Sequence, residues 1–338
     1  MTRIADNDTT NKLTDWIYDV HVYPKNSTTY GQVTIEKKGY TGGGTGVALE
    51  GVQFKLQKQN GADWTDITAN DSNGSTYNLT TDINGKITIA GLSQGEYRIF
   101  EDAYSNTSAN KGYILDAEYH TFTVQKDGKI QVDGNVSANA TIQVANHRPD
   151  MKKEVYNGTE WKQDAQYGVG DTVPYKITIE VPKNIDKLST FTVTDTPTGL
   201  TDNVSSIEVK DDTTDLTKNT HYTVADNGNG FTITFTPAEM AAYAGEKLVI
   251  TYTATVSNDA VVGGKGNSNN AKLTYTNKIN THDSPAAPST NTIEDSAVMY
   301  SFGIKVVKTA ENGTTALPGV VFDLYREAKT GETAYCKC

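Results

Sequence analysis

Cysteine is all but missing from this chain. Its 338 residues hold two, Cys336 and Cys338, both within the last three positions. One intervening residue is too short a span for an easy disulfide, and no histidine or further cysteine clusters beside them, so neither a disulfide framework nor a thiolate metal site is indicated. No apolar run approaches the ~20 residues that a membrane-spanning helix needs. Positive charge is also in short supply: 30 Lys and Arg stand against 41 Asp and Glu, a net −11, which argues against nucleic acid or an anionic membrane as partner. The carboxylates are dispersed rather than blocked, as for solubility. H-E-x-x-H and P-loop signatures are absent, and no cofactor is implied. No signal peptide follows Met1 and no sorting signal closes the chain. The expectation is a piece of a longer protein.

What is present is Thr, Asn, Gly, Tyr and Val, with little Leu, a β-type surface-protein profile. The length allows two to three domains with cores of their own. Short strands separated by turn signals predict an all-β chain of tandem immunoglobulin-like β-sandwich domains. Residues 1–29 precede a first block at 30–147, with strands expected at 32–37, 47–57, 81–89, 96–101, 119–124 and 141–146. Asn84 and Gly85 give a hairpin signal inside the third of these. A second block at 148–298 has strands expected at 151–155, 173–181, 191–195, 205–209, 231–235, 248–256 and 271–277. Residues 237–243 suggest one helical turn, and 282–296 read as a Pro/Ser/Thr/Asn linker or long loop. A third block at 299–338 repeats the first. Lys308 aligns with Lys37, Leu317, Pro318, Gly319 and Val320 with Leu49, Glu50, Gly51 and Val52, and Phe322, Asp323 and Leu324 with Phe54, Lys55 and Leu56. The second copy stops part-way.

The chemistry shows as violated alternation. In a strand packed on one side, every second residue faces the core. Val33, Ile35 and Lys37 share such a face, as do Tyr97, Ile99 and Glu101, and Ile142, Val144 and Asn146. The second block repeats the pattern: Lys153 between Met151 and Val155, Asp195 after Phe191 and Val193, Asn277 after Leu273 and Tyr275. Lys38 and Lys152 fall on the solvent side. Asn267, Asn269 and Asn270 lie near the same last strand, and Asn277 is chosen by face. Singly, each has a plain explanation as a snorkelling lysine, a turn-capping acid or a strand-end amide. Two blocks with the same trio point to a reaction. A buried lysine is driven toward the neutral, nucleophilic amine, and a buried carboxyl toward its protonated form. Such an acid can polarise an Asn carbonyl and relay protons while the amine displaces ammonia, leaving a Lys–Asn isopeptide bond. Fixed geometry supplies an effective molarity on the order of 10⁵–10⁸ M.

Residues 16–26 (WIYDVHVYPKN) place Val20, Val22 and Pro24 on one face of a strand that ends at the proline and presents Lys25 on a stiff exit. With Trp16, Val20, Val22, Tyr23, Pro24 and Lys25 in the spacing W-x-x-x-V-x-V-Y-P-K, this stretch resembles the pilin motif of sortase-assembled backbone pilins of Gram-positive bacteria, of the SpaA and FimA kind. The first block (KKG…LEGVQFKL…TTDINGKITIAGLSQGEYRIFE…IQVAN) looks like a Cna B-type domain, and the second (MKKEV…YGVGDTVPYKI…FTVTDTPTGL…NSNNAKLTYTN) like the pilin D2, Cna A-like domain. The third resembles a truncated Cna B-type start. The resemblance implies Lys25 as the sortase-linked amine, bonds Lys37–Asn146 and Lys153–Asn277 promoted by Glu101 and Asp195, and an unpaired Lys308. It implies a structural shaft subunit rather than an enzyme, with other pilin subunits and a pilus-specific sortase as partners, on an extracellular, cell-wall-anchored pilus. The stretch after Glu101 (DAYSNTSANKGY) lacks the Thr and Pro of the family's E-box.

The sequence leaves two rival functions. An ancillary or tip adhesin on the same scaffold would bind host surface proteins or glycans, with Trp64 and Trp161 as stacking candidates, although a tryptophan is more often packing. The metal-dependent adhesin motif D-x-S-x-S is absent, and residues 71–75 read as a turn. A hydrolase finds only Gly91, Ser93 and Gly95 in G-x-S-x-G, with a strand instead of a helix following.

Overall fold

The computed structural model describes residues 29–103, 112–211, 214–279, 289–303 and 306–322. Alternation folds them into strands. Along Gly31–Thr41, Val33, Ile35, Lys37 and Gly39 are buried between exposed or half-buried neighbours, the period of two that a one-sided sheet imposes. Among the described residues, helical turns are confined to the 3₁₀ segments Ile185–Lys187 and Pro237–Tyr243.

In the first domain, Gly31–Thr41 is the hub of a four-stranded sheet. It pairs in parallel with the closing strand Ala140–Arg148, and antiparallel with Val47–Ala48 and Lys86–Leu92. A six-stranded antiparallel sheet faces it, ordered Asp63–Asp66, Gln53–Asn60, Gly95–Ala103, His120–Val124, Ile130–Val132, Asn135–Ser137. Val33, Ile35, Leu56, Ile89, Tyr97, Ile99 and Val144 fill the space between. First and last strands are therefore neighbours, so a bond between them closes the whole domain.

Residues 47–57, expected as one strand, divide into Val47–Ala48 and Gln53–Asn60; Gly51, at φ +77°, takes a left-handed conformation that interrupts the pleat. Asn84 and Gly85 do not join two paired strands. They form a turn leading into Lys86–Leu92, and the Gly85 carbonyl accepts the Lys37 N–H at 2.7 Å.

The second domain packs a five-stranded sheet (Trp161–Lys162, Asp150–Tyr156, Thr172–Glu180, Lys247–Val256, Leu200–Lys210) on a six-stranded one (Asp164–Gln166, Ser289–Tyr300, Asn267–Lys278, Phe191–Pro197, Phe231–Phe235, Tyr222–Asp226). Tyr175, Ile177, Phe191, Val193, Phe231, Ile250 and Leu273 form its core. The linker expected at 282–296 is overturned in its described part. Ser289–Tyr300 is a twelve-residue strand paired along Asn267–Lys278, crossing the expected boundary at 298. Among its residues Asp295 lies over the backbone of Lys153, whose N–H donates to Asp295 Oδ2 at 2.7 Å, and the Ser289 hydroxyl donates to Asn277 Oδ1 at 2.8 Å.

The repeat is visible in the third block. The Leu317 N–H donates to the Lys308 carbonyl at 3.0 Å, as the Leu49 N–H does to that of Lys37 at 3.1 Å. Aligned Gly319 and Gly51 take φ of +81° and +77°. Lys308 is exposed, as are Val306, Val307, Leu317, Val320, Val321 and Phe322.

Candidate functional site

Alternation carries Lys37 into the first core, where it is fully buried. Its backbone is gripped on both sides, by Gly85 through the N–H and by Leu49 through the carbonyl. Gly85 sits at φ +70°, and a Cβ there would come within 2.4 Å of the Lys37 carbonyl oxygen. Asn146 lies two residues beyond Val144, the register partner of Lys37 on the parallel neighbour, so both side chains share a face. Lys37 Nζ donates to Asn146 Oδ1 at 2.6 Å. Glu101 reaches across from Gly95–Ala103 in the opposite sheet. Its Oε1 pairs with Lys37 Nζ, and its Oε2 accepts from Asn146 Nδ2 and from the Asp116 N–H, each at 3.2 Å. Burial raises the Glu101 carboxyl above the usual range, against the pull of the Lys37 charge. One carboxyl thus touches both the amine and the amide nitrogen.

Lys153, also fully buried, comes from the five-stranded sheet, and Asp195 and Asn269 from adjacent strands of the other. Nζ pairs with Asp195 Oδ2 and donates to Asn269 Oδ1 and to the Tyr252 hydroxyl, both at 2.8 Å. The Tyr252 hydroxyl donates to Asp195 Oδ2 at 3.0 Å and accepts from Asn269 Nδ2 at 3.1 Å. Tyr175 and Tyr252 put ring centroids 5.3 and 5.4 Å from Nζ. Burial pushes the Lys153 ammonium down toward the neutral amine, against the Asp195 charge.

Asn277, expected as the partner of Lys153, is not brought to this site; the carboxamide that meets Lys153 is that of Asn269. The two asparagines share a face, but eight residues of strand separate them by roughly 27 Å. Asp195 pairs with Ala271, near Asn269, whereas Asn277 lies past the far end of the acid's strand, beyond the Phe191–Tyr275 pair. There its side chain accepts from the Ser289 hydroxyl at 2.8 Å, and its carbonyl accepts the Leu115 N–H of the first domain at 3.1 Å.

Two groups escaped sequence reasoning. Tyr252 sits on the inward face of Lys247–Val256, where a tyrosine passes for ordinary core. Asp202 falls on Leu200–Lys210, whose first five residues lie outside the strand expected from sequence; in register with Leu200 it turns inward and is buried. Desolvation, reinforced by the Asp195 charge, pushes its carboxyl up to about 9.

Lys25 and its motif partners Trp16, Val20, Val22, Tyr23 and Pro24 lie outside the described residues. The stacking candidates are already occupied: Arg98 lies 4.5 Å from the Trp64 ring centroid, and Lys176 4.8 Å from that of Trp161. Ser93 lies in the turn between two strands, Lys86–Leu92 and Gly95–Ala103, so no nucleophile elbow forms. Among the described residues no three His, Cys, Asp or Glu are placed to hold a metal, and no helix is long and apolar enough to cross a membrane.

Fold and site together define a class: tandem β-sandwich domains, each built around a buried lysine, carboxyl and carboxamide. Residues 31–138 match the family model described as SpaA, prealbumin-like fold domain, and residues 169–279 that of the Gram-positive pilin backbone subunit 2, Cna-B-like domain. Each of the two described domains is thus similar to a domain of Gram-positive pilin proteins. The description of the second block is Cna-B-like, where its sequence resembles Cna A. The trypsin-resistant surface T6 protein of Streptococcus pyogenes serotype M6 is 26% identical over 198 residues, 52% of this chain and 36% of the relative; the chain thus spans about a third of that relative's length. A variant of BcpA, the major pilin subunit of Bacillus cereus, superposes with a TM-score of 0.52 at 25% identity, covering 80% of this chain and 69% of the other. The T6 backbone pilin of serotype M6 Streptococcus pyogenes shares the fold, with a TM-score of 0.52 at 19% identity over 81% and 65% of the two chains.

Proposed function

We propose that the chain is a shaft subunit of a covalently polymerised surface pilus, and that each of its two described domains closes a Lys–Asn isopeptide bond on itself. One observation supports this most: twice, a lysine amine, a carboxyl and a carboxamide oxygen meet in a buried core, with Nζ to Oδ1 distances of 2.6 and 2.8 Å. In the first domain the ammonium gives a proton to Glu101, and the free amine attacks the Asn146 side-chain carbon. Glu101, touching both nitrogens, returns a proton to the amide nitrogen as ammonia leaves. Lys153 and Asn269 react likewise beside Asp195. Each domain turns over once, so this is self-crosslinking rather than enzyme action. The loops closed span 109 and 116 residues, and each link stabilises by ~4–5 kcal/mol in the chain-entropy model, without redox chemistry.

Lys25 is the amine that a pilus sortase joins to the next subunit, on an extracellular pilus anchored to the cell wall. An adhesin reading finds less support, because Arg98 and Lys176 already lie over one face of each of the two candidate stacking rings. The test is the intact mass of the folded chain: two ammonia losses are expected, with peptide mapping locating the links at Lys37–Asn146 and Lys153–Asn269. Full sequence mass in folded protein overturns the self-crosslinking reading. Transfer of a neighbouring pilin by sortase to Lys25→Ala at the normal rate overturns the role of Lys25.

A further inference from the structure

The two clusters differ in how their acids reach the amide. Glu101 spans both nitrogens, with Oε1 at Lys37 and Oε2 accepting from Asn146 Nδ2. Asp195 is one methylene shorter. Its Oδ2 takes Lys153 and Tyr252, while its Oδ1 is buried without a hydrogen bond. A second carboxyl is present on the other side. Asp202 stands opposite Ala254, in the register that also turns Tyr252 inward. It is 6% exposed and lies against Asp195 and the Asn269 side chain, yet neither of its oxygens completes a hydrogen bond among the described residues. A purely structural carboxyl left this way costs stability and returns none.

We propose that Asp202 is the acid that releases ammonia from Asn269, leaving Asp195 to serve the Lys153 amine. This inference rests on the isopeptide reading above. Asn269 already divides its two ends: Oδ1 accepts from Lys153 Nζ and Nδ2 points to the Tyr252 hydroxyl. The protons balance with two carboxyls. The Lys153 ammonium passes one proton to Asp195 and attacks Asn269 Cγ as a neutral amine. Asp202 delivers its proton to Nδ2 as the Cγ–Nδ2 bond breaks and ammonia departs. The second proton shed by the Lys153 nitrogen refills Asp202. A new Nζ–Cγ bond remains between two neutral carboxyls, and no charge is stranded in the core. Two carboxylates at such proximity cannot both stay ionised, which keeps one of them supplied with a proton beforehand.

The experiment follows the full chain after a pulse of cell-free synthesis, with the two links counted separately by peptide mapping. In Asp202→Asn and Asp202→Ser, the Lys153–Asn269 link forms about 10²-fold more slowly or worse, the usual worth of a general acid. The Lys37–Asn146 link in the same molecules forms at its normal rate, and Asp202→Glu recovers the second link at least in part. Either neutral variant that melts cooperatively decides the matter, and a wild-type rate in it overturns the role of Asp202. Failure of the wild-type chain to form the second link counts instead against the isopeptide reading.

Discussion

Asn269 and Asn277 occupy the same face of the same strand, and only Asn269 meets Lys153, its Oδ1 lying 2.8 Å from Nζ. Asn269→Ala therefore leaves the folded chain one ammonia short of its own sequence mass, whereas Asn277→Ala still leaves it two short. The reverse pattern in intact mass spectra reassigns the bond.

Glu101→Ala and Asp195→Ala each restore one ammonia and leave the other domain linked. Loss of a loop closure of 109 or 116 residues lowers domain stability by ~4–5 kcal/mol. Calorimetry should resolve one lowered and one unchanged transition in each variant. Two unchanged transitions argue that the links contribute nothing to stability.

Gly85→Ala places a methyl against the carbonyl of Lys37, at a left-handed φ. We expect a cost of ~1–3 kcal/mol from the backbone alone and slower closure of the first link, because the same turn fixes the position of Lys37. Normal closure kinetics, measured by peptide mapping, would show that this grip is dispensable.

Asp202 gives the unlinked second domain a signed pH response. Unfolded, an aspartate releases its proton near ~3.9; folded, Asp202 keeps it up to about 9. Between those limits the folded state binds more protons, so stability falls as pH rises and levels off above the upper one. Thermal melts of Asn269→Ala between about pH 5 and 9 should show this decline, and adding Asp202→Asn should flatten it. An unchanged slope means that Asp202 is ionised in the fold. Lys153, Asp195, Tyr252 and Tyr175 face it and are kept constant in the comparison.

The first site was legible in full because strand alternation alone carries Lys37, Glu101 and Asn146 inward, and the three strands involved are apolar enough to show their period. The second was legible by face and not by position along the strand. A period of two cannot tell Asn269 from Asn277; only the antiparallel register of Asp195 against Ala271 does that. Asp202 and Ser289–Tyr300 stayed hidden for one shared reason. Polar residues interrupt the inward face of each, Asp202 after Leu200 and Asn291 and Asp295 around Ile293, so the apolar period is broken just where each strand starts.

The closing asparagines sit at different depths from where each domain ends. Asn146 is two residues short of the end of its strand at Arg148, whereas Asn269 precedes the whole of Ser289–Tyr300. Once both links are closed, the first domain has almost no chain outside its covalent loop. The second keeps 31 residues, from 269 to 300, outside its own. At ~3.3 Å per extended residue, those 31 residues would add roughly 100 Å of contour length once pulled from the fold. The shaft would be stiff at one domain and compliant at the next, able to lengthen under load and recoil without breaking a covalent bond.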